Sequence, residues 1–404
     1  MRIKWLYLGI IALALSGVFS CFVLLLRLPF FVGLIPNIFD VSLIIHVTLG
    51  INVWMLAITV STWDRQGLVQ RFSYNLCFIA VILIFLSGFI PGTDVIKSNY
   101  IPFLDNLPYI TGVALLLFGI LINSLDTIIR SNSERCDRIT ATIFLISQVC
   151  MCLAYARMPS ALTLHQFHEY LCWGGGHILQ FVFCQSLIIV FSILFSVRGS
   201  DKVLISLSWL NLLLILPTPL IYYYTPDNEI LIQFFTYHMR IFGGIVPTTY
   251  ILYLLFISKQ KVPHSYFWAF ALSASLFVYG GLLGFLIRES NIIIPAHYHG
   301  SIIGITVAFM AFAYHVTGTL TSKLSMIQLS TYTIGQFGHI TGLLLMGGYG
   351  ALRKSAGMTG ESTILYKAIF MVGGTLSIFS GALFVILLTS KLVRRKSQRA
   401  RELN

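Results

Sequence analysis

Charge is scarce in this chain. Asp, Glu, Lys and Arg make up 10% of its 404 residues, and 57% of the residues are hydrophobic. A soluble domain carries about 25% charge, so a water-soluble globular protein is excluded. Acidic residues are the scarcest. Asp40, Asp64, Asp94, Asp105, Glu134, Asp137, Asp201, Asp227, Glu229, Glu289, Glu361 and Glu402 fall in loops or at the ends of apolar runs, and Asp126 and Glu169 lie close to such ends. With no carboxylate at the centre of a run, a proton relay through buried Asp or Glu has no residues to use. The seven cysteines form no CxxC and no CxxCH, which excludes a zinc ribbon and covalent c-type haem. They read as small buried hydrophobes. A soluble domain, a long linker and internal repeats are also missing. Many secondary transporters are built on such repeats, so that class is left with little more than its helix number.

Long apolar stretches dominate what is there. A spanning helix needs about 20 mostly apolar residues. Such runs lie near 4–26, 41–62, 74–92, 108–128, 137–157, 169–197, 202–223, 230–256, 265–287, 292–318, 326–349 and 364–390. The sequence therefore predicts an all-α polytopic membrane bundle of about twelve helices. It forms a single integral membrane domain over 1–404, with a basic tail at 391–404. Arg2 and Lys4 before an apolar core look like the start of a signal peptide. However, Phe22-Val-Leu-Leu-Leu26 prolongs the run past Ser20-Cys21, so an uncleaved helix is expected. Pro91-Gly92, Pro102, Pro108, Pro226 and Pro263 mark turns between helices.

The formal net charge of +12 has a topological reading. An even number of helices puts both termini on one side. That side collects Arg2, Lys4, Arg65, Arg71, Arg130, Arg135, Arg138, Arg198, Lys202, Lys259, Lys261, Lys323 and the tail. The opposite face holds Arg27, Lys97, Arg157, Arg288, Arg353, Lys354 and Lys367. By the positive-inside rule both termini are cytoplasmic, as expected for a bacterial inner-membrane protein. No nucleic-acid partner is implied, and Arg394-Arg-Lys396 reads as a solvated or lipid-facing anchor.

The histidines carry the chemistry. At about 1.5 Å per residue, His46, His177, His238, His297 and His299 all fall about 7–13 Å below the outer surface, on four different helices. His165 and His168 sit at the outer mouth of the sixth helix. His264 is in an inner loop, His315 near the inner end of the tenth helix, and His339 mid-to-outer on the eleventh. Imidazole is the commonest neutral ligand for iron and copper, so five in one layer point to metal or haem ligation. His297 and His299 are two residues apart, and on a helix they point about 200° apart. They cannot share one metal from one face, but each can serve a different partner on opposite sides of the helix. Trp173-Gly-Gly-Gly-His177 and the glycines at 300, 304, 335, 338, 342, 347, 348 and 350 offer Cβ-free surface. It suits a flat porphyrin or, equally, close helix packing.

Pro295-Ala-His-Tyr-His-Gly-Ser301 resembles the His-aromatic-His element of helix X in subunit I of the haem–copper oxidases. His46-Val-Thr-Leu-Gly50, with Trp54, is similar to that family's helix II segment, and Trp173-Gly-Gly-Gly-His177 to its helix VI element. Gly338-His-Ile-Thr-Gly-Leu343, running to Arg353 and Lys354, resembles the helix XI segment with its two basic residues. The resemblance spans essentially the whole chain. It implies a low-spin haem on His46 and His299, a second, high-spin haem on His297, copper on His177, and haem propionates held by Arg353 and Lys354. An electron donor, a cytochrome or quinol, and other membrane subunits would be partners. The activity implied is reduction of O2 or NO.

The chain departs from that pattern where the copper should sit. The family's two further copper ligands are adjacent histidines near the end of helix VII, and here that region reads Pro217-Thr-Pro-Leu-Ile-Tyr222-Tyr-Tyr224. His238 is the nearest substitute, with Tyr237 beside it. Phe181 stands where oxidases of the commonest type carry Tyr. A second expectation is therefore a haem- or copper-binding membrane protein without oxidase turnover, acting in haem handling, NO tolerance or sensing.

Overall fold

Lipid offers no water to satisfy backbone N–H and C=O groups, so a chain this apolar closes its hydrogen bonds within helices. The computed structural model describes residues 1–27, 31, 37–130, 132–198, 201–224, 228–258, 260–287, 292–348 and 363–402, with side chains through residue 395. In chain order the elements are α1 (Arg2–Leu25), α2 (Ile38–Val47), α3 (Trp54–Trp63), α4 (Leu68–Ser87), β1 (Asp94–Ile96), β2 (Phe103–Asp105), α5 (Leu107–Ile129), α6 (Arg135–Ala156) and α7 (Leu164–Leu194). There follow α8 (Lys202–Ile215), α9 (Ile221–Tyr224), α10 (Asn228–Phe242), α11 (Ile245–Leu252), α12 (His264–Gly284), α13 (Ile293–Thr317), α14 (Lys323–Gly347) and α15 (Ile364–Glu402).

Among the described residues, 11 helical spans are long and apolar enough to cross a membrane. The chain is an all-α, polytopic integral membrane protein. Large apolar side chains such as Leu213, Val372 and Phe379 are 61%, 67% and 72% exposed, which only lipid would tolerate in such number. Three spans are interrupted. Thr48–Val53 is a π-helical turn between α2 and α3, and such turns gather at functional sites. Pro217 ends α8, and a short 3₁₀ turn leads into α9. At Gly243-Gly244 α10 gives way to α11, because Pro247 cannot donate its missing N–H to the Gly243 carbonyl. Of the twelve predicted runs, α14 is the one outside the 11. It has 25 residues, but Gln, Thr, Ser and His lower its hydropathy. Protein groups answer those side chains: Gln328 donates to the Ser380 carbonyl at 3.1 Å, and Ser380 Oγ donates back to the Gln328 carbonyl at 2.8 Å. The basic tail continues α15 as helix to Glu402.

The helices group into two compact units. Unit 1 comprises residues 1–12, 40–192 and 196–259. It contains a two-stranded hairpin, β1 against β2, antiparallel, in a stretch whose prolines read from sequence as plain turns. Asp137, in the first turn of α6, is 1% exposed and takes two bonds from one Arg198 nitrogen, at 2.6 and 2.7 Å. Unit 2 comprises residues 13–39, 193–195 and 260–404. Its helices meet through small residues, Gly280 against Gly300, Gly335 against Ser377 and Gly338 against Gly373, the usual means of close approach where no hydrophobic force drives association.

Candidate functional site

Histidine tautomers organise both units. A carbonyl oxygen can only accept, so a ring nitrogen bonded to one carries the proton, and the other nitrogen keeps its lone pair. In unit 2, His297 Nδ1 donates to the Gly280 carbonyl at 2.7 Å, His299 Nδ1 to the Pro295 carbonyl at 2.8 Å, and His339 Nδ1 to the Phe370 carbonyl at 3.2 Å. In unit 1, His177 Nδ1 donates to the Trp173 carbonyl at 2.7 Å. Each ring therefore carries its lone pair on Nε2, the arrangement that metal-ligating histidines use. For His177 and His299 the acceptor lies four residues back on the same helix. His297 instead uses a carbonyl of α12, reached because Gly280 lets the two helices touch.

The residues expected to bind copper do not assemble a copper site. His177 Nε2 already accepts a hydrogen bond from the Tyr100 hydroxyl at 2.7 Å, with the ring centroids 4.4 Å apart. His238 has the opposite tautomer: Nε2 donates to the Leu214 carbonyl at 2.9 Å, and its buried Nδ1 has no partner. Both rings border one aromatic cluster, with Phe235 6.1 Å from His177 and Phe234 5.8 Å from His238. Tyr237 points away and is 56% exposed. Among the described residues, no three His, Cys, Asp or Glu side chains converge on a point that could hold a metal ion. The donor set in unit 1 thus does not fit copper. The phenol that does turn inward is Tyr222, 2% exposed, its hydroxyl unpartnered.

The glycine run before His177 packs protein, not porphyrin. A Cβ at Gly174 would lie 2.1 Å from the Tyr222 hydroxyl, at Gly175 2.3 Å from Met151 Cγ, and at Gly176 2.4 Å from Tyr100 Cβ. Tyr100 is placed by the hairpin tip, where its φ of 60° is a left-handed conformation uncommon outside glycine. Asn99 Nδ2 donates to Glu169 and ties the same tip to α7. Gly300 and Gly304 likewise meet the backbone of α12, and Gly342 that of Phe370 on α15.

In unit 2 two imidazoles face each other from neighbouring helices. His297 and His299 project from α13 with their Nε2 lone pairs set. The His339 ring lies 5.3 Å from His299, and Tyr298 stacks on His299 at 5.3 Å and 28°. Sequence reasoning missed His339 and Tyr100 as site residues. His339 follows Gly338 in a motif already noted, so a signal existed; Tyr100 stands in a loop that gives none. His46, in unit 1, is half-buried on α2, two residues before the π turn. Arg353 and Lys354 lie outside the described residues.

Fold and site together define a polytopic helical membrane protein whose intramembrane polar chemistry rests on oriented histidines. The chain is 30% identical to the uncharacterized protein RP382 of Rickettsia prowazekii (strain Madrid E), the match covering 94% of each, and it belongs to the same family. It is 26% identical to an uncharacterized protein of Aquifex aeolicus (strain VF5), over 77% of this chain and 83% of that one. No family model matches the chain.

Proposed function

We propose that this chain is a haem-binding membrane protein of the electron-transfer type, with His297 and His299 as axial ligands. The observation that carries the reading is that both imidazoles, on opposite sides of α13, donate Nδ1–H to a carbonyl, which puts the lone pair on Nε2, the tautomer in which imidazole binds iron. The resemblance to haem–copper oxidase subunit I assigns His46 to the low-spin iron with His299, and Arg353 and Lys354 to its propionates. Haem supplies one-electron transfer where both axial positions are filled, and a gas-binding position for O2 or NO where only one is. The chain's own part is to hold each imidazole in one tautomer, to exclude water with apolar helices, and to lower the local dielectric. Electrons would come from a cytochrome or quinol, in a bacterial inner membrane with both termini cytoplasmic.

A second reading, haem handling, NO tolerance or sensing without turnover, is favoured by one observation. Tyr100 occupies the lone pair of His177 that copper would need. The test is a reduced-minus-oxidised spectrum of the purified chain with metal quantification. A low-spin band lost in His46→Ala and in His299→Ala is expected, with haem present and copper absent. Purified protein without haem sinks both readings, and one copper per two haems returns the oxidase assignment.

A further inference from the structure

The C-terminal end of α1 leads to a guanidinium with no carboxylate partner among the described residues. Arg27, in unit 2, has its guanidinium carbon 5.6 Å from the ring centroid of Phe39 and 5.6 Å from that of Phe370. Both distances are within cation–π range. Among the described residues no oxygen accepts a hydrogen bond from it, and no carboxylate pairs with it. Burial depresses its pKa below the ordinary arginine value, opposed only by the Tyr298 phenol. The guanidinium is half-buried, so its N–H edges stay within reach of an oxyanion ligand.

The surroundings say where that ligand would sit. Phe370, which packs on Arg27, also packs on His339 at 4.4 Å. His339 in turn faces His299 at 5.3 Å. One aromatic ring therefore joins the Arg27 cation to the imidazole pair. Gly373 and Gly374 make this junction possible: a Cβ on Gly373 would fall 2.2 Å from the His339 amide nitrogen, and one on Gly374 2.8 Å from its Nδ1.

We infer that Arg27, held between Phe39 and Phe370, is an oxyanion clamp for a carboxylate of the ligand that His299 binds. A planar guanidinium offers two parallel N–H donors to a carboxylate, and aromatic stacking leaves those edges open. Naming the carboxylate as that of haem rests on the proposed function; the oxyanion chemistry does not.

Full-length protein freed of haem, in phosphatidylcholine nanodiscs, is titrated with haem and with haem dimethyl ester, whose carboxylates are blocked. Wild type is expected to prefer haem by about tenfold or more, the worth of a charge-assisted hydrogen bond. Arg27→Gln should narrow that preference by about tenfold, whatever Arg353 and Lys354 add to it, and Arg27→Lys should lose less. The low-spin band at saturation should be unchanged in Arg27→Gln, which shows that the imidazoles still fold correctly. An Arg27→Gln variant that discriminates as wild type does overturns the clamp and leaves the haem reading standing. If wild type binds neither porphyrin, the haem reading fails. The clamp is then read by native mass spectrometry in nanodiscs containing phosphatidylglycerol. Lipid retained by wild type and lost in Arg27→Gln supports a clamp for a phosphate oxyanion, and equal retention overturns it.

Discussion

Replacing Gly280 with alanine tests the link between packing and site most directly. At the α12–α13 crossing, a Cβ built on Gly280 falls 2.1 Å from Ser301 N, 2.4 Å from the Gly300 carbonyl carbon and 2.6 Å from Gly300 Cα. All three are backbone atoms, so no side-chain rotation relieves the overlap. Ordinary contacts lie at about 3.5 Å, so α13 must retreat by roughly 1.4 Å. The bond from His297 Nδ1 to the Gly280 carbonyl, now 2.7 Å, would stretch to about 4 Å, beyond hydrogen-bonding range. Overpacking costs about 1–3 kcal/mol, and an imidazole N–H left without its acceptor adds about 1–3 kcal/mol. The expected loss is therefore about 2–6 kcal/mol. Gly281→Ala is the control. A Cβ there meets nothing within 4 Å, and alanine in a helix interior is better than glycine by up to about 1 kcal/mol. Unfolding in SDS followed by circular dichroism measures stability, and ¹⁵N spectra of labelled histidine report whether His297 keeps its Nδ1 proton. Equal stability of the two variants, with His297 unperturbed in both, would refute the reasoning.

Tyr100→Phe removes the donor to His177 Nε2 and leaves a buried acceptor unpaired, which should cost about 1–3 kcal/mol. The same variant should shift the His177 Nε2 resonance in ¹⁵N spectra of labelled histidine; unchanged shift and stability would mean the phenol does not cap that nitrogen. Arg198→Met strands the buried Asp137 carboxylate and is expected to cost about 3–5 kcal/mol, most of it recovered when Asp137→Leu is added. A loss below about 1 kcal/mol would show the pair to be effectively solvated.

The class of protein was open to reading before any coordinates. Ten per cent charge and runs of spanning length leave only a helical membrane bundle, and each of the predicted runs is built mainly of helix where described. Local motifs also located His297 and His299, because helix geometry turns a spacing of two into opposite directions. The glycines were harder. The same Cβ-free surface admits a porphyrin or a neighbouring helix, and spacing along one chain says nothing about which atoms approach from another. The contacts of Gly174, Gly175 and Gly176 decided for packing.

By itself, then, the sequence determined composition-driven properties: membrane insertion, helix number to within one, and which residues are chemically able to bind metal. Tertiary structure decided what each of those residues is free to do. His177 and His299 look alike in the sequence, each on an apolar helix and each bonded to a carbonyl four residues back. A hairpin tip 77 residues away in sequence brings Tyr100 onto the lone pair of His177, while the ring set beside His299 is another imidazole, His339. The difference is made by contacts between segments remote in the chain. Such contacts depend on the distance between two surfaces, which no local pattern of residues encodes.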